Sequence, residues 1–356
     1  MTTDSDYTIT PAPFTAVHFE DAFWRPRLET NRRVTLPFNF RKCEETGRIN
    51  NFAKAAGWMD GPHEGIFFND SDVFKVVEGA AYTLALESDP AMDAYLDNLV
   101  ALFAGAQEAD GYLYTARTID PTAVTADREG LTRWSHLRVN HELYNVGHLY
   151  EAAVAHFQAT GKRTLLDVAL KNADLIDSVF GPEKLREVPG HQEIEIGLVK
   201  LYRVTGDERY LRLAKFFLDE RGHANGRELY TNFGNPGYMQ DHLPVVEQSE
   251  AVGHAVRAVY MYTGMADVAA LTGDASYIAA IDRLWMNVVG RKLYLTGGIG
   301  ARHTGEAFGD DYELPNAEAY TETCAAIANI LWNQRMFLLH GDARYIDVLE
   351  LSLYNG

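Results

Sequence analysis

The sharpest chemical pattern in the sequence is a glutamate and a cysteine that stand two residues apart, Glu322 and Cys324. A carboxylate and a thiolate are both zinc ligands, with bonds of about 2.0–2.2 Å and 2.3 Å. Residues i and i+2 point to different sides of a regular helix, so both reach one ion only from an extended or first-turn segment. Two ligands do not complete a zinc site. The motif alone therefore also allows a buried structural thiol beside a helix cap.

A second candidate is Glu306, which ends the glycine-rich run from Thr296. Glycines permit unusual backbone angles and a close approach of a ligand. A loop carboxylate is a candidate proton donor if partial burial raises its pKa toward neutrality. A solvated loop acid is the alternative. The run lacks the Gly-Lys-Ser/Thr ending of a phosphate loop, and His303 takes the third glycine position of a dinucleotide fingerprint, so phosphate binding is rejected.

Three histidines recur at one place in the pattern, at or near the start of a helix that we expect to be buried: His141, His191 and His254. A single histidine at such a position is more often a satisfied core residue. Recurrence favours a shared cavity, in which free N–H groups and the positive helix ends suit ligand oxygens. Asp70 and Asp72 start another such helix, where capping or a scaffold role is an equal alternative.

The elements that must position these groups are helical hairpins. Four segments repeat a turn in which glycine fits the left-handed residue that ends a helix: Thr160-Gly161, Thr205-Gly206, Thr272-Gly273 and His340-Gly341. Residues 254–271 and 325–338, which precede two of these turns, are apolar nearly all round, as in buried helices. The helices after the last three turns have a polar side. Strand-like runs are few, such as 292–296.

Alternating buried and half-buried helices predict an all-α fold, an (α/α)6 barrel in a single domain over residues 1–356, with short strand-bearing loops. The buried helices number five, with starts near Asp72, His141, His191, His254 and Glu322. A closed ring needs a sixth, so the count predicts a domain that is truncated at its C-terminus.

Composition excludes several classes of function. The 32 Lys+Arg against 50 Asp+Glu give a net charge of −18, which disfavours nucleic acid and anionic membrane surfaces as partners. Residues 1–10 lack the basic and apolar regions of a secretory signal, and no uncharged apolar run reaches the roughly 18–20 residues of a membrane span. Cys43 and Cys324 are the two cysteines, which excludes a disulfide framework. We expect a soluble cytoplasmic protein, and the oligomeric state stays open.

Several motifs together resemble glycoside hydrolase family 127, the β-L-arabinofuranosidase family, over nearly the whole chain. They are Phe19–Trp24, Phe68–Asp72, Ala109–Tyr114, Asn140–Tyr144, Gly190–Glu193, Gly297–Gly300, Gly305-Glu306 and Glu322–Cys324. The resemblance implies an (α/α)6 barrel followed by β-sandwich domains. It also implies retaining hydrolysis of terminal L-arabinofuranosyl or related residues by a zinc-bound cysteine thiolate.

The resemblance also implies roles for single residues of this sequence. Glu306 matches the general acid/base, and Glu322 and Cys324 match two of four zinc ligands. His141, His191 and His254 match histidines that contact sugar hydroxyls. The nucleophile and the last two ligands belong to a Cys-Cys pair that the resemblance places after Gly356, and Cys43 is not expected to replace it. We therefore expect the zinc site to be incomplete and this chain alone to lack hydrolytic activity.

Two other functions stay open. A sugar epimerase or isomerase of the N-acylglucosamine 2-epimerase-like class shares the helical toroid and would use histidines as acid/base pairs without zinc. A non-catalytic carbohydrate-binding remnant would bind sugar without turnover.

Overall fold

A computed structural model describes residues 5–124 and 132–356, and its regular structure is helical. The chain divides into two compact units. We call Ala12–Phe180 with Lys200–Tyr210 the N-terminal unit, and Gly181–Val199 with Leu211–Gly356 and the residues up to Pro11 the C-terminal unit. No helix among the described residues combines the length and the hydropathy that a bilayer crossing requires.

Among its described residues, the N-terminal unit contains nine α-helices that belong to it entirely: α1 (Trp24–Thr30), α2 (Leu36–Glu45), α3 (Arg48–Ala55), α4 (Asp70–Leu86), α5 (Pro90–Ala106), α6 (Thr115–Ile119), α7 (Leu137–Asn140), α8 (Glu142–Thr160) and α9 (Thr164–Val179). A π-helix at Asn31–Thr35 joins α1 to α2. The buried helices α4 and α8 pack on each other, and α9 packs on α8. Helix α8 is buried nearly all round because its apolar residues occupy every face.

The start of α4 shows why an aspartate is buried there. Asn69 is the capping residue, and the Asp70 carboxylate accepts hydrogen bonds from the backbone N–H of Thr115, at 2.8 Å, and from its hydroxyl. Asp72 pairs with Arg48 at 2.7 Å. Both aspartates thus connect α4 to neighbouring segments, as the alternative of a capping or scaffold role expects.

Two helices cross the division between the units, α10 (Ile194–Thr205) and α11 (Glu208–Glu220). The C-terminal unit adds α12 (Ala255–Thr272), α13 (Ala275–Asn287), α14 (Thr323–His340) and α15 (Ala343–Asn355). A π-helix at Val288–Lys292 follows α13, and short 3-10 turns lie at Val245–Glu247 and Thr304–Glu306. Helix α12 packs on α13 and α14, and α14 packs on α15.

The predicted hairpin turns are confirmed. Gly161, Gly206, Gly273 and Gly341 have φ of 73°, 72°, 68° and 70°. Each glycine N–H donates to the carbonyl four residues earlier, which satisfies the end of the preceding helix. The predicted buried character of α12 is also confirmed, since all but Thr272 of its residues are buried.

Two predictions about elements are wrong. The run 292–296 is not a strand: Tyr294 N–H donates to the carbonyl of Gly298 at 2.9 Å, Gly297 N–H donates back to Tyr294 at 2.8 Å, and Leu295 is 98% exposed. The described residues contain isolated bridges in place of strand-bearing loops. The second wrong prediction is that residues 325–338 form a fully buried helix. Helices α12 and α15 cover part of the surface of α14, but Ile327 remains 48% exposed.

Candidate active site

Glu306 is held in a strained turn of the loop between α13 and α14. Gly305 and Glu306 both have positive φ, 73° and 52°, a conformation that glycine adopts freely and that glutamate adopts at a cost. The backbone on both sides is fixed. Arg302 and Ala307 exchange two N–H···O bonds of 2.9 and 3.0 Å, and Phe308 N–H donates to Gly253 at 2.8 Å. The loop thereby carries Glu306 to the start of α12.

His254 caps the N-terminus of α12 and faces Glu306. Its Nδ1 accepts the backbone N–H of Arg257 at 3.3 Å, which places the ring proton on Nε2. That Nε2–H donates to Oε2 of Glu306 at 2.9 Å. Burial lowers the pKa of His254, so the imidazole is neutral near pH 7 and donates a single, fixed hydrogen bond.

Tyr320 supplies a second donor. Its hydroxyl donates to Oε1 of Glu306 at 2.9 Å, so each carboxylate oxygen has one donor. The hydrogen bond from His254, reinforced by the one from Tyr320, outweighs desolvation and lowers the pKa of Glu306 to about 2. The expectation that partial burial raises this pKa toward neutrality is therefore wrong. Hydrogen bonds to the charged form outweigh burial here because the carboxylate is only half-buried.

The carboxyl group with a raised pKa beside Glu306 is that of Glu322, the residue that precedes α14. Burial, and then the negative charge of Glu306, raises the pKa of Glu322 to about 7. Its Oε1 is buried and has no hydrogen-bond partner among the described residues. One ligand atom each of His254, Glu306 and Glu322 lie within 4.8 Å of one another. Near neutral pH Glu322 is thus partly protonated, whereas Glu306 is ionised.

Cys324 is the second residue of α14, and Glu322 caps the helix, so both lie in the first-turn arrangement that the spacing requires. Cys324 is exposed, and the alternative of a buried structural thiol is wrong. Its sulfur does not belong to the close group that His254, Glu306 and Glu322 form among the described residues. Cys43, in contrast, is buried in α2, and burial raises the pKa of its thiol to about 11.

His191 lies beside His254. It is buried in the segment that leads into α10, and the two imidazole centroids are 5.4 Å apart. Its Nδ1 is 2.8 Å from the carbonyl of Gln192. The ring of Tyr238 is 5.9 Å from that of His254, and the guanidinium of Arg257 lies 5.0 Å from the Tyr238 ring centroid. The C-terminal unit thus brings together four of the predicted residues: His191, His254, Glu306 and Glu322. Cys324 lies two residues after Glu322, in the first turn of α14.

His141 belongs to the N-terminal unit. It caps α8 with φ of 58°, and its ring stacks on Phe68 with centroids 4.4 Å apart and an interplanar angle of 21°. Its Nδ1 contacts the carbonyl of Val139. A contribution of His141 to the same site stays a prediction.

Sequence reasoning missed Tyr320 and Tyr238. No local pattern identifies either residue, because each meets its partner through the folding of a long loop. Arg257 was also missed, although its position one turn after His254 on a helix provides a signal.

Comparisons with known proteins agree on one family. A family model described as "Beta-L-arabinofuranosidase, GH127 catalytic domain" matches residues 16–356. The non-reducing end β-L-arabinofuranosidase of Bifidobacterium longum subsp. longum is 44% identical over an alignment of 323 residues, which covers 86% of this chain and 48% of the relative. The chain spans about half the length of this relative and of the solved structures below.

Two solved structures share the fold. A GH127 β-arabinofuranosidase superposes with a TM-score of 0.92 at 56% identity, over 98% of this chain and 54% of its own. A GH127 β-L-arabinofuranosidase from Geobacillus stearothermophilus T6 gives 0.89 at 44% identity, over 94% and 55%. Together with the helices described above, these similarities confirm the predicted all-α fold class.

Proposed function

Because the chain belongs to glycoside hydrolase family 127, we propose that it carries the acid/base residue and part of the metal site of a β-L-arabinofuranosidase. The enzyme would release L-arabinofuranosyl residues from non-reducing ends with retention of configuration. The supporting observation is Glu306, a loop carboxylate whose two oxygens are each held by a donor and which lies next to the carboxyl group of Glu322.

Glu306 would act twice. It would first give a proton to the departing glycosidic oxygen and later take one from the water that completes hydrolysis. The ionised form, which the low pKa of Glu306 favours, suits the second step directly. The hydrogen bond from His254 is the main cause of the low pKa, so a sugar hydroxyl that engages Nε2–H of His254 would raise the pKa of Glu306 as the substrate binds. Substrate binding would thus prepare the acid form.

His191 and His254 would contact sugar hydroxyls, as would His141 from the N-terminal unit. A buried, neutral imidazole with one nitrogen fixed by the backbone offers a hydroxyl a single, oriented donor, and His254 has this arrangement. Such oriented groups favour one ring form of the sugar over another, because a hydroxyl that misses its partner leaves a buried polar group unpaired.

Glu322 and Cys324 fit a zinc ion. The buried Oε1 of Glu322 lacks a partner, the Cys324 thiol is accessible, and the two residues sit on the first turn of one helix. Carboxylate and thiolate are suitable zinc donors, and a divalent cation would offset the negative charges of Glu306 and Glu322. When bound, zinc supplies a way to keep cysteine sulfur deprotonated near neutral pH.

The test is an assay with a polypeptide long enough to include the region where the resemblance places the cysteine pair. We expect release of L-arabinose from β-L-arabinofuranosides and not from α-L-arabinofuranosides, with loss of activity after thiol alkylation or treatment with a zinc chelator. Interconversion of free sugars that survives both treatments would replace this proposal with the epimerase hypothesis. Sugar binding without turnover would replace it with the binding remnant.

A further inference from the structure

A second group of metal-ligating side chains lies in the N-terminal unit, apart from Glu306 and Glu322. Asp93 and Asp97 stand one turn apart on α5, so their carboxylates share a face of that helix. His156 comes from the last turns of α8. One carboxylate oxygen of each aspartate and one ring nitrogen of His156 all lie within 4.8 Å of one another.

His156 indicates that this group is more than a cluster of surface acids. Its side chain is fully buried, at 0% exposure, and neither ring nitrogen has a hydrogen-bond partner among the described residues. A buried polar group without a partner is costly, and folded proteins rarely retain one without a reason. An imidazole that lies beside two carboxylates and lacks any other partner has the features of a metal ligand.

The two carboxylates already attract a cation, the ammonium of Lys162. Its Nζ lies 2.7 Å from Asp93 Oδ1 and 2.8 and 2.9 Å from the two oxygens of Asp97. Lys162 follows the turn at the end of α8, and its side chain is 32% exposed, so the ammonium can leave for solvent on its flexible stem. It thus competes with a metal ion for the carboxylates and leaves the nitrogens of His156 unused.

We propose that Asp93, Asp97 and His156 bind a divalent transition-metal ion of the zinc type, with Lys162 as the competing cation. One imidazole and two carboxylates are donors that zinc accepts, with bonds of about 2.0–2.2 Å. Ligand atoms on a tetrahedral ion of this size are roughly 3.4 Å apart, so the side chains need to move by only about 1 Å. The ion would connect α5 to the end of α8. The proposal does not depend on the proposed function.

The test is a calorimetric titration of zinc into the 356-residue chain with Cys324→Ser, which removes the thiolate of the other candidate site. We expect saturable binding that His156→Ala and Asp97→Asn each weaken at least about tenfold. Lys162→Met should tighten it about tenfold, because the competing ion pairs are lost. Asp167→Asn is the matched control, an exposed carboxylate on α9 that pairs with Arg163 outside the group.

Cobalt provides an independent test of which side chains bind the metal. Co²⁺ can replace zinc, and its visible absorption spectrum depends on the ligands. We expect d–d absorption without a thiolate charge-transfer band, lost in His156→Ala and kept in Asp167→Asn. If His156→Ala unfolds, Asp97→Asn takes its place in the comparison. The Asp97 side chain is 48% exposed, so we expect this variant to fold. Absence of binding in both the Cys324→Ser chain and its Lys162→Met derivative, or binding unaffected by His156→Ala and Asp97→Asn, would overturn the proposal.

Discussion

The protonation state of Glu306 depends on side chains that are distant from it in the sequence. His254 is 52 residues before it and Tyr320 is 14 residues after it, and both donate to its carboxylate. The sequence places Glu306 in a glycine-rich loop and predicts partial burial, which by itself raises a carboxyl pKa. The opposing hydrogen bonds come from long-range packing and have no local signature. The identity of this residue was predictable from the resemblance, but the direction of its pKa shift was not.

Tyr320→Phe tests the role of Tyr320 as a positioning residue. Loss of its hydroxyl removes one donor from the ionised carboxylate, so we expect the pKa of Glu306 to rise by about one unit. The measurement is a ¹³C NMR titration of the glutamate side-chain carboxyl groups, with Glu306→Gln identifying the resonance. Tyr294→Phe is the control, since its hydroxyl binds the carbonyl of Pro315 in the same loop. An unchanged titration in Tyr320→Phe would contradict the assigned hydrogen bond.

Asp70 gives a prediction about stability and pH. Burial raises its pKa to about 6 from an ordinary 3.8. Between these values the folded state binds more protons than the unfolded state, so the contribution of Asp70 to the free energy of unfolding falls as pH rises from about 4 to 6. Asp70→Asn lacks this dependence. Relative to the wild type, its free energy of unfolding should therefore rise by roughly 2 kcal/mol between pH 4 and pH 7.

Urea unfolding of both proteins at pH 4, 5, 6 and 7 measures that difference. Asp167→Asn, an exposed aspartate on α9, serves as the control and should show a much smaller change relative to the wild type. A difference between Asp70→Asn and the wild type that stays constant over this pH range would show that Asp70 titrates normally in the folded state.

At the scale of elements, the helix starts were predicted well and the loops poorly. Helices α8, α12 and α14 begin at Glu142, Ala255 and Thr323, each directly after a polar residue that the sequence had marked. Apolar periodicity and glycine turns depend on short stretches of sequence, so helices and their ends can be predicted from neighbouring residues alone. The run 292–296 has strand-forming residues but finds no partner strand in the described part of the chain. Local turns satisfy its backbone, and this outcome depends on the surrounding loop.

The hairpin turns lead to a prediction about Gly206. Its φ is 72°, and a Cβ atom added there would meet nothing within 4 Å, so a substitution introduces backbone strain without a clash. We expect Gly206→Ala to lower the free energy of unfolding by about 1 kcal/mol. Gly290→Ala is the matched control, because that site is equally open and lacks a positive φ. Equal stability of the two variants in urea would show that the turn does not require glycine.

At the scale of the whole molecule, the net charge and the family narrow the class of substrate, and the structure shows which candidate residues lie together. A net charge of −18 repels anionic polymers but not a neutral sugar, which agrees with the proposed substrate. The sequence resemblance identified the family and named the residues. It did not show that His191, His254, Glu306 and Glu322 meet in one unit, because residues from the starts of three helices and a loop come together only through tertiary packing.

The most direct test of the account is Glu306→Gln in a polypeptide that includes the region of the cysteine pair. We expect kcat/KM for a natural linkage to fall about 10²- to 10⁴-fold, because the leaving oxygen loses its proton donor. The loss should be much smaller for an aryl arabinofuranoside with a good leaving group, and Glu318→Gln, an exposed glutamate of the same loop, should retain activity on both. A wild-type rate of Glu306→Gln on the natural linkage would contradict the assignment of Glu306.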